Sequence, residues 1–231
     1  MNKEGSDIFL RMFAIKKRAF VVQEKENPWR LAWTQPVFRK KVWIGFILNI
    51  SVLILFPVFF QHIEKRNGIQ LHDILLNNIP AINVSLFIFI IVWSLALLTI
   101  IRAVQQPEIF ITFLFSFFVL SMSRIICIYL VPLNPPQGLI PLADPLTNAF
   151  YRGSFVTKDL FYSGHTATQF LIFLCLKKRR DKILAAISTF SVAILVLVQH
   201  VHYSIDIIAA PLLAFMCFII GRSIAKKGIQ F

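Results

Sequence analysis

The stretch VWIGFILNISVLILFPVFF, residues Val42–Phe60, contains no charged side chain. As a helix it measures about 28 Å at 1.5 Å per residue, close to the ~30 Å hydrocarbon layer of a bilayer. Reading outward, Ala81–Ile101 is a second uncharged run, and Ile109–Val131 is a third, interrupted only by Arg124. Leu160–Leu176, Ile183–Gln199 and Ile205–Ile220 follow; they are shorter, with His165 and Asp206 near the starts of two of them. Shorter spans suit helices whose ends line a polar cavity rather than lipid. The expectation is an all-α membrane protein, a bundle of six transmembrane helices over residues 42–221.

Composition agrees. The chain is 57% hydrophobic and 15% charged, with a mean hydropathy of +0.72. A soluble domain lacks long uncharged runs. The net charge of +13 would point to nucleic acid in a soluble protein, but here Lys and Arg flank the apolar runs. They set topology and meet anionic lipid headgroups at the cytoplasmic face, with no nucleic acid implied. Cys127, Cys175 and Cys217 all lie inside apolar runs and read as small buried residues. The first run starts at Val42, too late for an ordinary cleaved signal peptide, so it is expected to stay as an anchor.

Residues 1–41 interleave apolar and basic side chains and read as a basic amphipathic segment on the cytoplasmic face, the alternative being a disordered basic tail. Residues 61–80 form a polar loop, 132–151 a proline-rich loop that no helix can cross, and 222–231 a basic tail. Six spans put both termini on one side. That side then holds 19 of the 24 Lys/Arg, while Lys65, Arg66, Arg152 and Lys158 lie opposite and Arg124 within a span. By the positive-inside rule both termini are cytoplasmic. The count ignores His165, His202 and Asp206, yet it brings all three, with Arg124, toward the extracytoplasmic face.

Those residues can do phosphoryl chemistry. Guanidinium grips phosphate with paired donors, so Arg124 is a candidate clamp; the blander reading pairs it with Asp159 or Asp206, or lets it snorkel to the interface. His202 and Asp206 are four apart and share a helix face. A carboxylate beside imidazole fixes its tautomer, and such a histidine can attack phosphorus. His165 can protonate the leaving oxygen and later deprotonate the acceptor. Ser163 and Gly164 offer a hydroxyl and a closely approaching backbone amide. Asp159 either tunes the site or caps the following helix. His200 is either a supporting residue of the site or an interfacial polar one. Tyr162 and Tyr203 read as interfacial aromatics, and His62, His72 and Asp73 as solvated loop residues. The histidines show no metal-ligand spacing, and the phosphohistidine route calls for no metal or cofactor.

Lys158-Asp159-Leu160-Phe161-Tyr162-Ser163-Gly164-His165-Thr166 and His200-Val201-His202-Tyr203-Ser204-Ile205-Asp206 resemble the second and third motifs of the type 2 phosphatidic acid phosphatase superfamily. They are closer to its sphingomyelin synthase-like branch. The resemblance implies a nucleophile in His202, an orienting carboxylate in Asp206, an acid/base in His165 and a phosphate-binding Arg124. The phosphatases' Lys-x6-Arg-Pro motif is absent, Val196 stands where they carry arginine, and Tyr162 stands where they carry proline before Ser-Gly-His. These departures favour the synthase-like branch. It implies a phospholipid donor and a ceramide- or diacylglycerol-like acceptor at the outer face of a plasma or inner membrane. Hydrolysis of lipid phosphates or diphosphates by the same residues is the alternative. A non-catalytic lipid-binding or transport relative ranks below both.

Overall fold

The computed structural model describes residues 27–142 and 156–231. Eight helices lie in these segments: α1 Pro28–Thr34, α2 Pro36–Glu64, α3 Ile74–Asn77, α4 Ser85–Gln105, α5 Pro107–Leu130, α6 Gly164–Cys175, α7 Arg179–Val198 and α8 Ser204–Lys226. Five of them, α2, α4, α5, α7 and α8, are long and apolar enough to cross a membrane. Their outer faces carry large exposed apolar side chains such as Trp43, Ile54, Phe87, Phe190 and Ile208. Such faces fit lipid rather than water, and an α-helix satisfies its backbone internally, as lipid requires. The protein is an all-helical membrane protein.

The fourth expected run differs. Only Gly164–Cys175 is helical, 12 residues, about 18 Å long. Leu160–Ser163 is irregular and packed inside protein, with Leu160, Tyr162 and Ser163 buried. The Ser163 side chain caps the helix, and its N–H donates to the Asp206 carbonyl of α8 (3.2 Å) instead of continuing a helix backwards. At the other end Leu176 is extended and the chain turns through Lys177-Lys178. Helix ends elsewhere extend past the uncharged runs. Arg102 belongs to the last turn of α4, with only Gln106 between α4 and α5, and α7 takes Arg179–Lys182 into its first turn.

The expected amphipathic segment falls partly on residues 1–26, which lie outside the described residues. Residues 27–41 are helical and docked. Asn27 caps α1, Trp29 packs on Phe38 and Phe110, and Arg39, Lys40 and Lys41 sit in the first turns of α2. Lys41 Nζ donates to the carbonyls of Ile224 (2.5 Å) and Lys227 (2.6 Å), a cation placed on the C-terminal end of α8 where the helix dipole favours it.

α5, α6 and α8 enclose the main core of Leu120, Tyr162, Ala167, Leu171, Ala210, Ala214 and Cys217, with α7 against α6 and α2 against α5. Lipid tails are as apolar as leucine, so close packing at small residues drives such contacts. Gly221 shows how close α5 and α8 come: a Cβ there would lie 2.3 Å from Ser116 Cα and 2.6 Å from its N. Backbone cannot yield as a flexible side chain does. Gly221→Ala is therefore expected to destabilise the bundle by about 1–3 kcal/mol. A thermal unfolding midpoint in detergent equal to the parent's would count against this crossing.

Candidate active site

Two helix starts carry the candidate site. α6 begins at Gly164, so His165 is its second residue; α8 begins at Ser204, with Asp206 in its first turn and His202 in the preceding turn. The Ser163 N–H to Asp206 carbonyl bond ties the two starts together. Sequence-distant motifs thus meet through the backbone, at the helix starts that carry His165 and Asp206.

Asp206 is fully buried and works locally first. One carboxylate oxygen, Oδ2, accepts the Tyr203 N–H (3.0 Å), the returning half of a capping box. The same oxygen lies 3.4 Å from His202 Nδ1, close but not aligned as a hydrogen bond. Asp206 Oδ1 has no hydrogen-bond partner. His202 Nδ1 is likewise without a hydrogen-bond partner, and a buried polar atom is costly to leave unmet.

Arg124, near the end of α5, lies against the start of α6. It ion-pairs with Asp159, and its Nε donates to the Tyr162 carbonyl (3.3 Å). A Cβ on Gly164 would lie 2.5 Å from the guanidinium carbon, so glycine is what lets the group reach this position. The pairing with Asp159 is the one the blander reading named. The cap role weighed for Asp159 falls to Ser163, whose hydroxyl accepts the Thr166 N–H (3.4 Å) and donates to Thr166 Oγ1 (3.1 Å). Arg124, Asp159 and Gly164 therefore share one spot, beside the first turn of α6, where backbone N–H groups favour anions.

The segment leading to Asp159 is held by a residue that sequence reading passed over. Glu64, the last residue of α2, accepts from Thr157 N (2.6 Å), Thr157 Oγ1 (2.9 Å) and Lys158 N (2.7 Å). Lys158 Nζ in turn donates to the Arg66 carbonyl. Asp73, read as a solvated loop residue, accepts from Ser204 N (2.6 Å) and Ser204 Oγ (3.0 Å), as well as from Leu75 and Leu76 N–H. Burial pushes its carboxyl up, but these hydrogen bonds outweigh burial and hold it below the ordinary carboxylate range. Tyr162 and Tyr203 are corrected as well. Neither presents its ring at the protein surface; both are buried, and Tyr203 Oη donates to the Asn134 carbonyl (2.9 Å) and accepts from Leu71 N (3.2 Å). Loop residues with long-range partners leave no local pattern to read.

His200 is set apart from this group. It closes α7 in a left-handed conformation (φ 57°), with His200 N bonded to the Leu197 carbonyl (2.8 Å) and Val201 N to that of Val196 (3.1 Å). This is the Schellman ending, where glycine is the usual residue. The buried ring lies between the carbonyls of Gln137 (Nδ1, 2.8 Å) and Ile79 (Nε2, 2.9 Å). Both ring nitrogens are thus engaged by loop backbone, leaving neither for a phosphoryl oxygen in this arrangement. Neighbouring Gln199, fully buried, bonds Ser85 Oγ (2.7 Å), the carbonyls of Ile140 and Pro141, and Val84 N.

Residues 158–223 match the family model described as PAP2 superfamily C-terminal. The match supports the PAP2 superfamily, whose members are generally phosphatases or phosphotransferases. It covers α6, α7 and α8, and with them Asp159, His165, His202 and Asp206, but not Arg124. No curated protein matches the chain.

Two substitutions separate the roles of His200. His200→Ala loses the ring contacts and keeps the left-handed strain; His200→Gly loses the same contacts without that strain. Both are expected to be less stable than the parent, with the glycine variant recovering about 1–2 kcal/mol relative to alanine. Equal stabilities in chemical unfolding would sink this account of the turn.

Proposed function

We propose that the protein is a membrane lipid phosphotransferase that moves a phosphorylated headgroup through a phosphohistidine intermediate. The observation that carries the reading is the meeting of the α6 and α8 starts, with a buried His202–Asp206 pair on one and the Arg124 cradle on the other. In the first step His202 Nε2 attacks phosphorus, and the phosphorus–oxygen bond to the donor lipid breaks. His165 gives its proton to the departing oxygen. Asp206 stabilises the charge that develops on the His202 ring through Nδ1–H. In the second step His165 takes the proton of the acceptor hydroxyl as that oxygen attacks phosphorus, and the phosphorus–nitrogen bond breaks, restoring His202.

Arg124 supplies charge for the phosphoryl oxygens. Substrate competes with Asp159 for it, so Asp159 acts as a placeholder that holds the guanidinium ready and yields to phosphate. Ser163 and Gly164 shape the first turn that receives the oxygens, and His200 keeps the surrounding loops in register. The donor on this reading is a phospholipid and the acceptor a ceramide- or diacylglycerol-like alcohol, as in the sphingomyelin synthase-like branch. The PAP2-type match equally favours the hydrolytic form of the same chemistry, with water as acceptor.

The same reading makes α6 a sixth crossing, completed by the irregular residues before Gly164. Irregular backbone at membrane depth is tolerated where protein surrounds it, and α6 packs against α4, α5, α7 and α8. Six crossings with the basic bias put both termini in the cytoplasm, the site extracytoplasmic and the membrane a plasma or inner membrane.

Incubating purified protein with headgroup-labelled phospholipid, with and without ceramide or diacylglycerol, tests the activity by lipid chromatography. Labelled product is expected only when the alcohol is present; release of water-soluble label without it identifies hydrolysis instead. His202→Ala is expected to lower turnover at least 10³-fold while the protein still inserts, and a variant with parental turnover overturns the mechanism. For topology, a cysteine replacing Gly153 is expected to react with an impermeant maleimide in intact cells, and one replacing Arg179 only after permeabilisation. The reverse pattern rules out the orientation.

A further inference from the structure

The ends of α6 and α8 away from the histidines hold a second site. α6 stops about 18 Å from its start, whereas α8 runs on for 23 residues, about 34 Å. The difference leaves a notch beside the last turns of α8. A cavity of about 260 Å³ fills it, opening between the first turn of α5, the α6–α7 turn and α8. Its lining carries four cations, Lys177, Lys182, Arg222 and Lys226, against a single carboxylate, Glu108.

The charges are unevenly satisfied. Glu108 bridges Lys177 and Lys226, one through each carboxylate oxygen. Among the described residues no carboxylate lies within ion-pair distance of Lys182 or Arg222. Each instead stands over an aromatic face: Lys182 Nζ is 5.2 Å from the Phe173 ring centre, and the Arg222 guanidinium carbon 5.8 Å from that of Phe218. Aromatic faces hold a cation in place without neutralising it. Thr112 also lines the cavity, and its buried hydroxyl has no hydrogen-bond partner. Two held cations and an unspent hydroxyl at one recess form a receptor for a doubly charged, oxygen-rich anion. Ile109, Leu174 and Phe218 in the same lining provide apolar surface beside it.

We infer that this cavity binds a phosphate monoester group through Arg222, Lys182 and Thr112, at the end of the bundle away from His165 and His202. The inference does not depend on the reaction proposed above. Monoester phosphate could arrive on a lipid such as phosphatidic acid or free in solution; the recognition chemistry is shared, and the apolar part of the lining suits a lipid.

Native mass spectrometry of the purified full chain reads this directly, titrating phosphatidic acid with phosphatidylcholine as the zwitterionic diester control. One phosphatidic acid is expected to bind in preference to phosphatidylcholine, and Lys182→Gln with Arg222→Gln to weaken it about tenfold or more. Thr112→Val is expected to weaken it less. The loss should recur in the His202→Ala background, which separates this cavity from the histidine site. Displacement by millimolar inorganic phosphate assigns the site to soluble phosphate, and persistence assigns it to a lipid headgroup. Equal phosphatidic acid binding by parent and double variant overturns the inference. Should the double variant fail to fold, the two single glutamine variants are read by the same criterion.

Discussion

The hydrogen bond from Ser163 N–H to the Asp206 carbonyl joins two helices at their first turns, and the candidate site is built on that joint. A backbone group buried in protein without a partner is costly. Leu160, Tyr162 and Ser163 are buried, so the chain cannot leave the irregular residues before Gly164 unsupported. Ser163 meets the cost with α8, Tyr162 offers its carbonyl to Arg124, and Glu64 takes the amides of Thr157 and Lys158. The groups that satisfy this backbone are also the ones that bring Arg124 and Asp159 beside α6. Here the demand for satisfied backbone and the demand for a charged site have one solution.

A second layer of constraint comes from the loops. Asp73, Tyr203, Gln199 and His200 fasten the turn between α7 and α8 to residues 71–85 and 134–141. Asp73 and Asp206 each take an N–H at the start of α8, from Ser204 and Tyr203 respectively. That helix start is thereby held from outside and from within its own first turn. His200 keeps a left-handed backbone that glycine would adopt more readily, because the ring holds two loops together. On the proposed mechanism His202 must be placed closely, and such supporting contacts serve that end.

Much of this was open to reading before any coordinates, and the parts that were not share a cause. Uncharged runs marked the cores of five spanning helices because lipid imposes a strong, local compositional rule. The closeness of His202 and Asp206 followed from their spacing of four. Helix ends were harder: Arg102 and Arg179–Lys182 are helical although charged, because a helix can project beyond the hydrocarbon. The shortness of α6 was hidden, since Leu160 and Tyr162 are apolar whether they face lipid or protein. Asp73, Glu64 and Tyr203 carry no local signal because their long-range partners lie 69–132 positions along the chain. Arg124 with Asp159 lay between these cases, its partner named as one of two candidates.

The position of Arg124 has a consequence for synthesis. Its ion-pair partner Asp159 lies 35 residues further along, with Tyr162 and Gly164 beyond it. At about 5–20 residues per second, the ribosome takes roughly 2–7 s to deliver them. Until then the groups that meet the Arg124 guanidinium in the finished protein are not yet made, so its ion pair belongs to a late stage of synthesis.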